Sequence, residues 1–253
     1  MYDYPSRIER IIEHSEDVRS FILGELWAYA RPGQFAMLYL PGVGERPFTY
    51  AAKNMFTVRK VGPWTSALFE RRVGDEVYVH GPLGQGFPLL HEPLTLVAGG
   101  IGMASLRMLA LTHYYPVSLV LGAKTKNDLL YRQELEAAPH IALTCVTEDG
   151  SACLTGLVTD AAFPLGDYYA ICGPELMMKA AAEKIGRPSQ TYLVLERYMK
   201  CGGMGLCGMC SLDGWRVFVD GPVMEYSRLV NSSDFGVRHR DRFGRLVPIS
   251  ART

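Results

Sequence analysis

One change of rhythm constrains this chain more than any other feature. From Ser6 to about Pro88 it runs in short, alternating, β-branched segments divided by turn residues. After Pro93, near-continuous apolar segments alternate with helical ones. Period-two strands bury one face, whereas strands apolar throughout are buried on both faces and need helices laid over them. Residues 8–12, 18–26, 35–40, 47–52, 56–61 and 76–80 each read as a strand. Breaks at Pro32-Gly33, Pro41-Gly42, Gly62-Pro63 and Gly74-Asp75 separate them. Strands this short and this close together predict a small antiparallel barrel. A helix over 65–72 interrupts it, with Leu68 and Phe69 facing inward.

The second half predicts a parallel α/β sheet. Its strands are LTLVAGG (94–100), VSLVLGA (117–123), IALTCVTE (141–148), YYAICGP (168–174) and TYLVLE (191–196). Helices are expected over 103–114, 129–138, 156–163 and 175–185. A polar, basic tail follows, carrying a cysteine cluster. The expected division is a barrel over 1–92, an α/β domain over 93–195 and a cysteine-bearing module over 196–253.

Charge narrows the partners. The 253 residues hold 26 basic and 26 acidic side chains, a formal net charge of zero. That balance argues against nucleic acid or an acidic membrane surface as the main partner. No apolar run approaches the roughly 20 residues of a spanning helix, and the N-terminal MYDYPSRIERIIEHSED lacks a secretion signal's layout. A cytoplasmic protein is therefore expected, with its six cysteines free or metal-bound rather than disulfide-bonded.

Three constellations carry chemistry. At the barrel rim, Arg46-Pro47-Phe48-Thr49-Tyr50 lies in sequence with Thr57-Val58-Arg59 and with Gly62, Trp64, Thr65 and Ser66. A flavin needs a ring surface, hydrogen bonds to its polar edge and positive charge for its phosphates. Arg46 can fork onto phosphate, Thr49 and Tyr50 offer hydroxyl and stacking contacts, and Gly62 with Thr65-Ser66 offers backbone N–H groups. The second constellation is Gly99-Gly100-Ile101-Gly102, a strand-to-helix turn that lets a phosphate approach. Cys172-Gly173-Pro174 ends a later strand on the same side of the expected sheet. The third is Glu196 to Cys210, ERYMKCGGMGLCGMC, in which Cys201, Cys207 and Cys210 are spaced C-x5-C-x2-C among glycines. Such spacing is near that of plant-type iron–sulfur sites.

Together, PGQF (32–35), RPFTY (46–50), GPLGQGF (81–87), AGGIG (98–102), CGP (172–174), ERYMKCG (196–202) and DGPV (220–223) resemble the electron-transfer subunits of type B dihydroorotate dehydrogenase, in the ferredoxin reductase superfamily. The resemblance covers almost the whole chain. It implies FAD on the barrel, NAD(H) on the α/β domain, and a [2Fe–2S] cluster on the C-terminal module. It also implies an FMN-bearing catalytic partner in a heterotetramer of pyrimidine biosynthesis. Arg46–Thr49, Thr57–Arg59 and Trp64-Thr65 match its FAD contacts, although Trp64 stands where glycine is usual. Gly99, Gly100, Gly102 and Cys172–Pro174 match its nicotinamide side, with Cys172 and Glu196 expected to tune the nicotinamide position. Ser105 replaces a usual proline, a change expected to be minor. Lys124 and Lys126 leave NADPH open beside NADH.

The cysteine loop departs from the pattern. Its first gap is five residues instead of four, and Phe218 stands where the fourth cysteine belongs. Ser211, Asp213, Asp220, Cys145 or Cys153 are the alternatives for a fourth ligand, and a site without a cluster is another. Two rival readings follow: a reductase subunit of a sulfhydrogenase or sulfite reductase-like complex, or a non-catalytic flavin- or zinc-binding accessory module.

Overall fold

The computed structural model describes residues 4–24 and 29–249. Six strands close into an antiparallel barrel in the order β1-β2-β5-β4-β3-β6. They are β1 (Tyr4–Glu13), β2 (Val18–Leu23), β3 (Phe35–Leu40), β4 (Gly44–Ala52), β5 (Met55–Arg59) and β6 (Glu76–Leu83), with helix α1 (Pro63–Phe69) between the last two. The second strand therefore ends earlier than expected; residues 25 and 26 of the expected span lie outside the described ones. Ile8, Phe21, Leu38, Tyr50, Phe56 and Val77 point inward and are almost fully buried. Each such side chain contributes about 1.5–3 kcal/mol by leaving water, which makes closure favourable for a sheet this small.

The α/β part follows as β7 (Leu94–Gly99), α2 (Gly102–Thr112), β8 (Val117–Ala123), α3 (Arg132–Ala137), β9 (Ile141–Thr147), β10 (Leu154–Thr155), β11 (Tyr168–Cys172), α4 (Glu175–Ile185) and β12 (Thr191–Val194). The tail adds β13 (Ser211–Leu212), β14 (Trp215–Arg216), α5 (Val217–Asp220), β15 (Val223–Glu225), β16 (Arg238–Arg240) and β17 (Leu246–Pro248). Seven strands form one sheet, ordered β10-β9-β8-β7-β11-β12-β15. The chain runs outward from β7 to β10, then returns to the other side of β7 with β11. That reversal opens a crevice at the carboxyl ends of β7 and β11, where open α/β sheets take their ligands.

Two expectations for this half are corrected. Residues 156–163 form turns, not a helix. Gly156 has φ +136°, the Asp160 carboxylate accepts from the Leu157 N–H at 2.7 Å, and Pro164 follows. Val158 instead packs on β8, where Gly122 leaves room for it. Cys145 and Cys153 are disulfide-bonded, not free, with Cα atoms 5.5 Å apart. The bond crosses from β9 to the loop before β10.

The tail is integral to the fold. β15 pairs antiparallel with β12, and Gln85 N–H donates to Gly221 O at 2.5 Å. A side chain at Gly33 would collide with Val223 and come within 2.9 Å of the Phe87 ring. PGQF, GPLGQGF and DGPV are thus three sides of one packed junction. Among the described residues no helix is long and apolar enough to cross a membrane.

Candidate functional site

The crevice is built by two turns that need glycine for different reasons. A Cβ at Gly102 would lie 2.5 Å from the Cys172 carbonyl carbon and 2.8 Å from Gly173 N. One at Gly99 would lie 2.5 Å from Met177 Sδ and 3.1 Å from Pro174 Cδ. These two glycines let the AGGIG and CGP turns press together. Gly100 is the open one: it has φ +54°, and the nearest atom to a Cβ there is Arg59 Nη2 at 4.0 Å. So of the three glycines expected to admit a phosphate, Gly100 is the one facing free space, opposite a barrel cation.

On the barrel side β4 places Arg46 in solvent, with its Nη1 donating to Glu45 O at 2.6 Å. Pro47 pairs with Met37 of β3. Phe48 is half-buried and rests on Trp64, ring centroids 5.3 Å apart and tilted by 33°. Trp64 is 3% exposed, and its indole N–H donates to Gly44 O at 2.8 Å. The residue that replaces the usual glycine therefore backs the Phe48 ring and is not itself a ligand surface. Arg59 Nε lies 3.4 Å from the Asp17 carboxylate and is buried without a well-directed hydrogen bond. A partly exposed guanidinium with spare donors, facing a glycine turn, suits an anionic ligand.

Five expected contacts, Tyr50, Val58, Thr57, the Gly62 N–H and Ser66, are engaged within the protein itself. Tyr50 and Val58 are each 1% exposed and point into the barrel core, because alternation in β4 and β5 turns them away from the rim. The Thr57 hydroxyl is occupied by Ser20 Oγ at 2.7 Å and by the Tyr131 hydroxyl. Thr65 Oγ accepts from Gly62 N–H at 3.0 Å, so that N–H is not offered to a phosphate. Ser66 is half-buried in α1 and its N–H donates to Gly62 O at 2.9 Å.

The carboxyl ends of β11 and β12 bring Cys172 and Glu196 together with Ser105 of α2. Burial pushes the Cys172 thiol up to about 12; the Ser105 hydroxyl opposes this and the Glu196 charge adds to it. Its Sγ donates weakly to Val194 O at 3.8 Å. Cys172 is thus a neutral thiol at any physiological pH. Glu196 is reachable by water but walled by protein, and the resulting desolvation raises its carboxyl while Arg197 pulls it down. Arg197 and Glu175 form a buried pair, their side chains 4% and 11% exposed. The second nitrogen of Arg197 reaches Glu175 at 2.8 Å, and Arg197 Nη1 also holds Glu196 O at 2.8 Å.

The thiol sets a pH dependence. Above the ordinary value of 9.0 an unfolded Cys172 releases its proton, while the folded one retains it up to about 12. The native state then binds more protons than the unfolded state, so stability falls as pH rises through that window, by at most about 1.4 kcal/mol per pH unit. Cys172→Ala is expected to flatten the alkaline limb between pH 9 and 11 in urea titrations. An unchanged slope would show that Cys172 does not contribute to it.

The cysteine loop lies against the barrel rim: a Cβ at Gly202 would sit 3.2 Å from Glu45 Oε1, and one at Gly203 3.1 Å from Leu83 Cδ1. Cys201 is half-buried, Cys207 exposed and Cys210 buried. Burial raises the Cys201 thiol, but N–H groups of Cys207 and Leu206 and the Cys207 thiol outweigh it and bring it down to about 7. For a four-thiolate cluster the set is incomplete. Phe218, 4% exposed, packs edge-on against Phe35 with centroids 5.0 Å apart. Asp213 is engaged by Ser233 at 2.8 Å, Asp220 by Arg216 N–H at 2.8 Å, and Cys145 and Cys153 bind each other. Among the described residues no three His, Cys, Asp or Glu side chains converge as a metal-ligating group. The residues present do not fit a [2Fe–2S] cluster with four cysteine ligands.

Sequence reasoning passed over Tyr131, which reaches the barrel from the α/β half in a left-handed conformation (φ +61°) and meets Ser20 at 3.1 Å. No local signal marks it. Ser105 did carry a signal, the replaced proline, though the change was expected to be minor; its hydroxyl lies 2.7 Å from Thr49 Oγ1.

No protein-family profile matches the chain. It is 38% identical over 247 residues to the probable dihydroorotate dehydrogenase B (NAD(+)), electron transfer subunit of Pyrococcus furiosus, covering 96% of this chain and 98% of that one. The like-named protein of Methanocaldococcus jannaschii is 37% identical over 253 residues, covering 95% and 96%. The chain belongs to the dihydroorotate dehydrogenase B electron transfer subunit family. Members of this family are oxidoreductase subunits that transfer electrons, and this chain is one of them. A solved NADH-dependent reduced ferredoxin-NADP oxidoreductase matches its architecture with a TM-score of 0.76 at 29% identity, over 89% of this chain and 91% of that one. A ferredoxin NADP+ reductase of Neisseria gonorrhoeae, 16% identical with a TM-score of 0.61, shares the fold over 75% of this chain and 97% of its own.

Proposed function

We propose that this chain passes electrons between NAD(H) and a catalytic partner subunit through FAD held at the barrel rim. The observation that carries the reading is the convergence of Arg59 and Gly100 across one crevice. In this reading Arg46, Phe48 and Thr49 serve the flavin from the barrel, and Cys172, Gly173, Pro174 and Glu196 serve the nicotinamide from the sheet. Arg46 and Arg59 would hold the phosphates, Phe48 with Trp64 behind it would support the ring system, and the Thr49 hydroxyl would meet the ring's polar edge. When bound, FAD supplies the exchange between a two-electron hydride and single electrons. The chain's own part is placement: the Cys172–Pro174 turn and Glu196 orient the nicotinamide, and the packed turns exclude water. No side-chain acid or base is needed for hydride transfer.

The names of the relatives support NAD and a dihydroorotate dehydrogenase partner. Asp149, which interacts electrostatically with Lys126 and is bonded by Ser151, offers an acidic group near the lysines considered for a 2′-phosphate, and this favours NADH. We assign the three parts as 1–92, 93–195 and 196–253, with FMN on the partner and a heterotetrameric, cytoplasmic assembly in pyrimidine synthesis. The cysteine loop is the exit side, and no step is routed through a cluster there. The test is titration of the anaerobically purified protein with FAD and then NADH, with iron and sulfide counts. A flavin spectrum that bleaches with NADH supports the reading; protein that takes up no FAD and does not react with either nicotinamide overturns it. Co-purification of a dihydroorotate-oxidising chain supports the partner, whereas a hydrogenase or sirohaem chain would replace it.

A further inference from the structure

Ser105 lies on the first turns of α2, just past the point where Gly102 lets that helix press on the Cys172 carbonyl. It is half-buried. Its hydroxyl lies 2.7 Å from Thr49 Oγ1 of β4, a residue 56 positions earlier in the chain. The same hydroxyl acts on the Cys172 thiol at the end of β11, opposing the effect of its burial. One side chain therefore joins the barrel residue assigned to the flavin's polar edge with the sheet residue assigned to the nicotinamide.

We propose that Ser105 is a positioning residue that fixes the Thr49 hydroxyl for the flavin and ties it to the Cys172 turn across the crevice. The chemistry is simple. A hydroxyl donates one proton and accepts at two lone pairs, so Ser105 bridges two groups that a static surface would leave free to rotate. Thr49 then meets its ligand with a set rotamer, and the ordering is done before binding. Arg107 on the same helix reinforces the link by donating to Ala51 O at 2.8 Å, so α2 is strapped to β4 at two points. This inference rests on the flavin reading above.

The test is a double-mutant cycle on FAD affinity, read by fluorescence quenching, with NADH-driven flavin reduction followed by stopped flow. Ser105→Ala is expected to weaken FAD binding about fivefold, the size of one lost hydrogen bond, and to slow reduction with the KM for NADH within about twofold. Ser105→Thr, which keeps the hydroxyl, should restore both. In a Thr49→Ala background, Ser105→Ala should change FAD affinity by less than about twofold, because its effect passes through Thr49. Melting temperatures of the Ser105 variants check that folding is unaltered. If Ser105→Ala leaves affinity and reduction unchanged, or weakens FAD equally in both backgrounds, this inference is overturned while the flavin reading stands. If the wild type takes up no FAD, the flavin reading falls and the inference with it.

Discussion

Replacing Arg197 by alanine is expected to lower stability by about 3–5 kcal/mol, because it leaves the mostly buried Glu175 carboxylate without its counter-ion. The pair is 4% and 11% exposed, so solvent screening does little to soften the loss. Glu175 opens α4, Arg197 follows β12, and the Glu175 carboxylate also accepts from Gly236 N–H of the tail at 2.6 Å. Three segments separated widely in the sequence are thus pinned at one point. For a chain of this size the melting temperature should fall by roughly 6–20 °C. Arg197→Lys should recover only part of this, since a single ammonium cannot reproduce the two-point bond. Chemical denaturation monitored by circular dichroism measures both. A loss under about 1 kcal/mol would mean that the pair behaves as a surface ion pair.

Gly102→Ala is expected to act on the site as strongly as Arg197→Ala acts on the fold. The added methyl would meet backbone atoms, the Cys172 carbonyl and Gly173 N, which cannot swing aside as a flexible side chain can. Either α2 or the Cys172–Pro174 turn must shift, at about 3 kcal/mol. A shift of about 1 Å in the nicotinamide's seat lowers kcat/KM on the order of 100-fold. Gly100→Ala is the control for folding only, read by thermal melts: it meets no protein crowding, and its φ of +54° costs about 1–2 kcal/mol of backbone strain. Steady-state NADH oxidation measures the Gly102→Ala loss, and thermal melts on the two variants distinguish them. Equal losses in the melts would show that backbone conformation, not turn packing, governs this corner.

Much of the architecture was legible. The switch from alternating to continuous apolar segments predicts a barrel and then a parallel sheet, and both are present. The 156–163 segment misled because Leu157, Val158 and Ala161 mimic a helical face; Gly156 and the Asp160 side chain commit it to turns instead. At the rim, RPFTY reads as five ligand residues, but a strand shows only alternate side chains to one face, so Tyr50 went to the core. The cysteines divided differently than their spacing suggests. Cys145 and Cys153 are eight positions apart, and their pairing depends on how the loop after β9 folds back.

Local chemistry in the sequence was sufficient to determine the two layers and the glycine turns, while the missing cysteine at Phe218 showed only through the family resemblance. Layers and turns depend on residue type and short-range periodicity, which a linear chain displays directly. The tertiary structure alone decided which groups meet. Thr49 reaches Ser105, Arg59 faces Gly100, and Arg197 closes on Glu175, at separations of tens of residues. Those meetings follow from barrel closure and from the reversal of strand order at β7. Both arise from burying apolar surface over the whole molecule, and no short stretch of sequence encodes them.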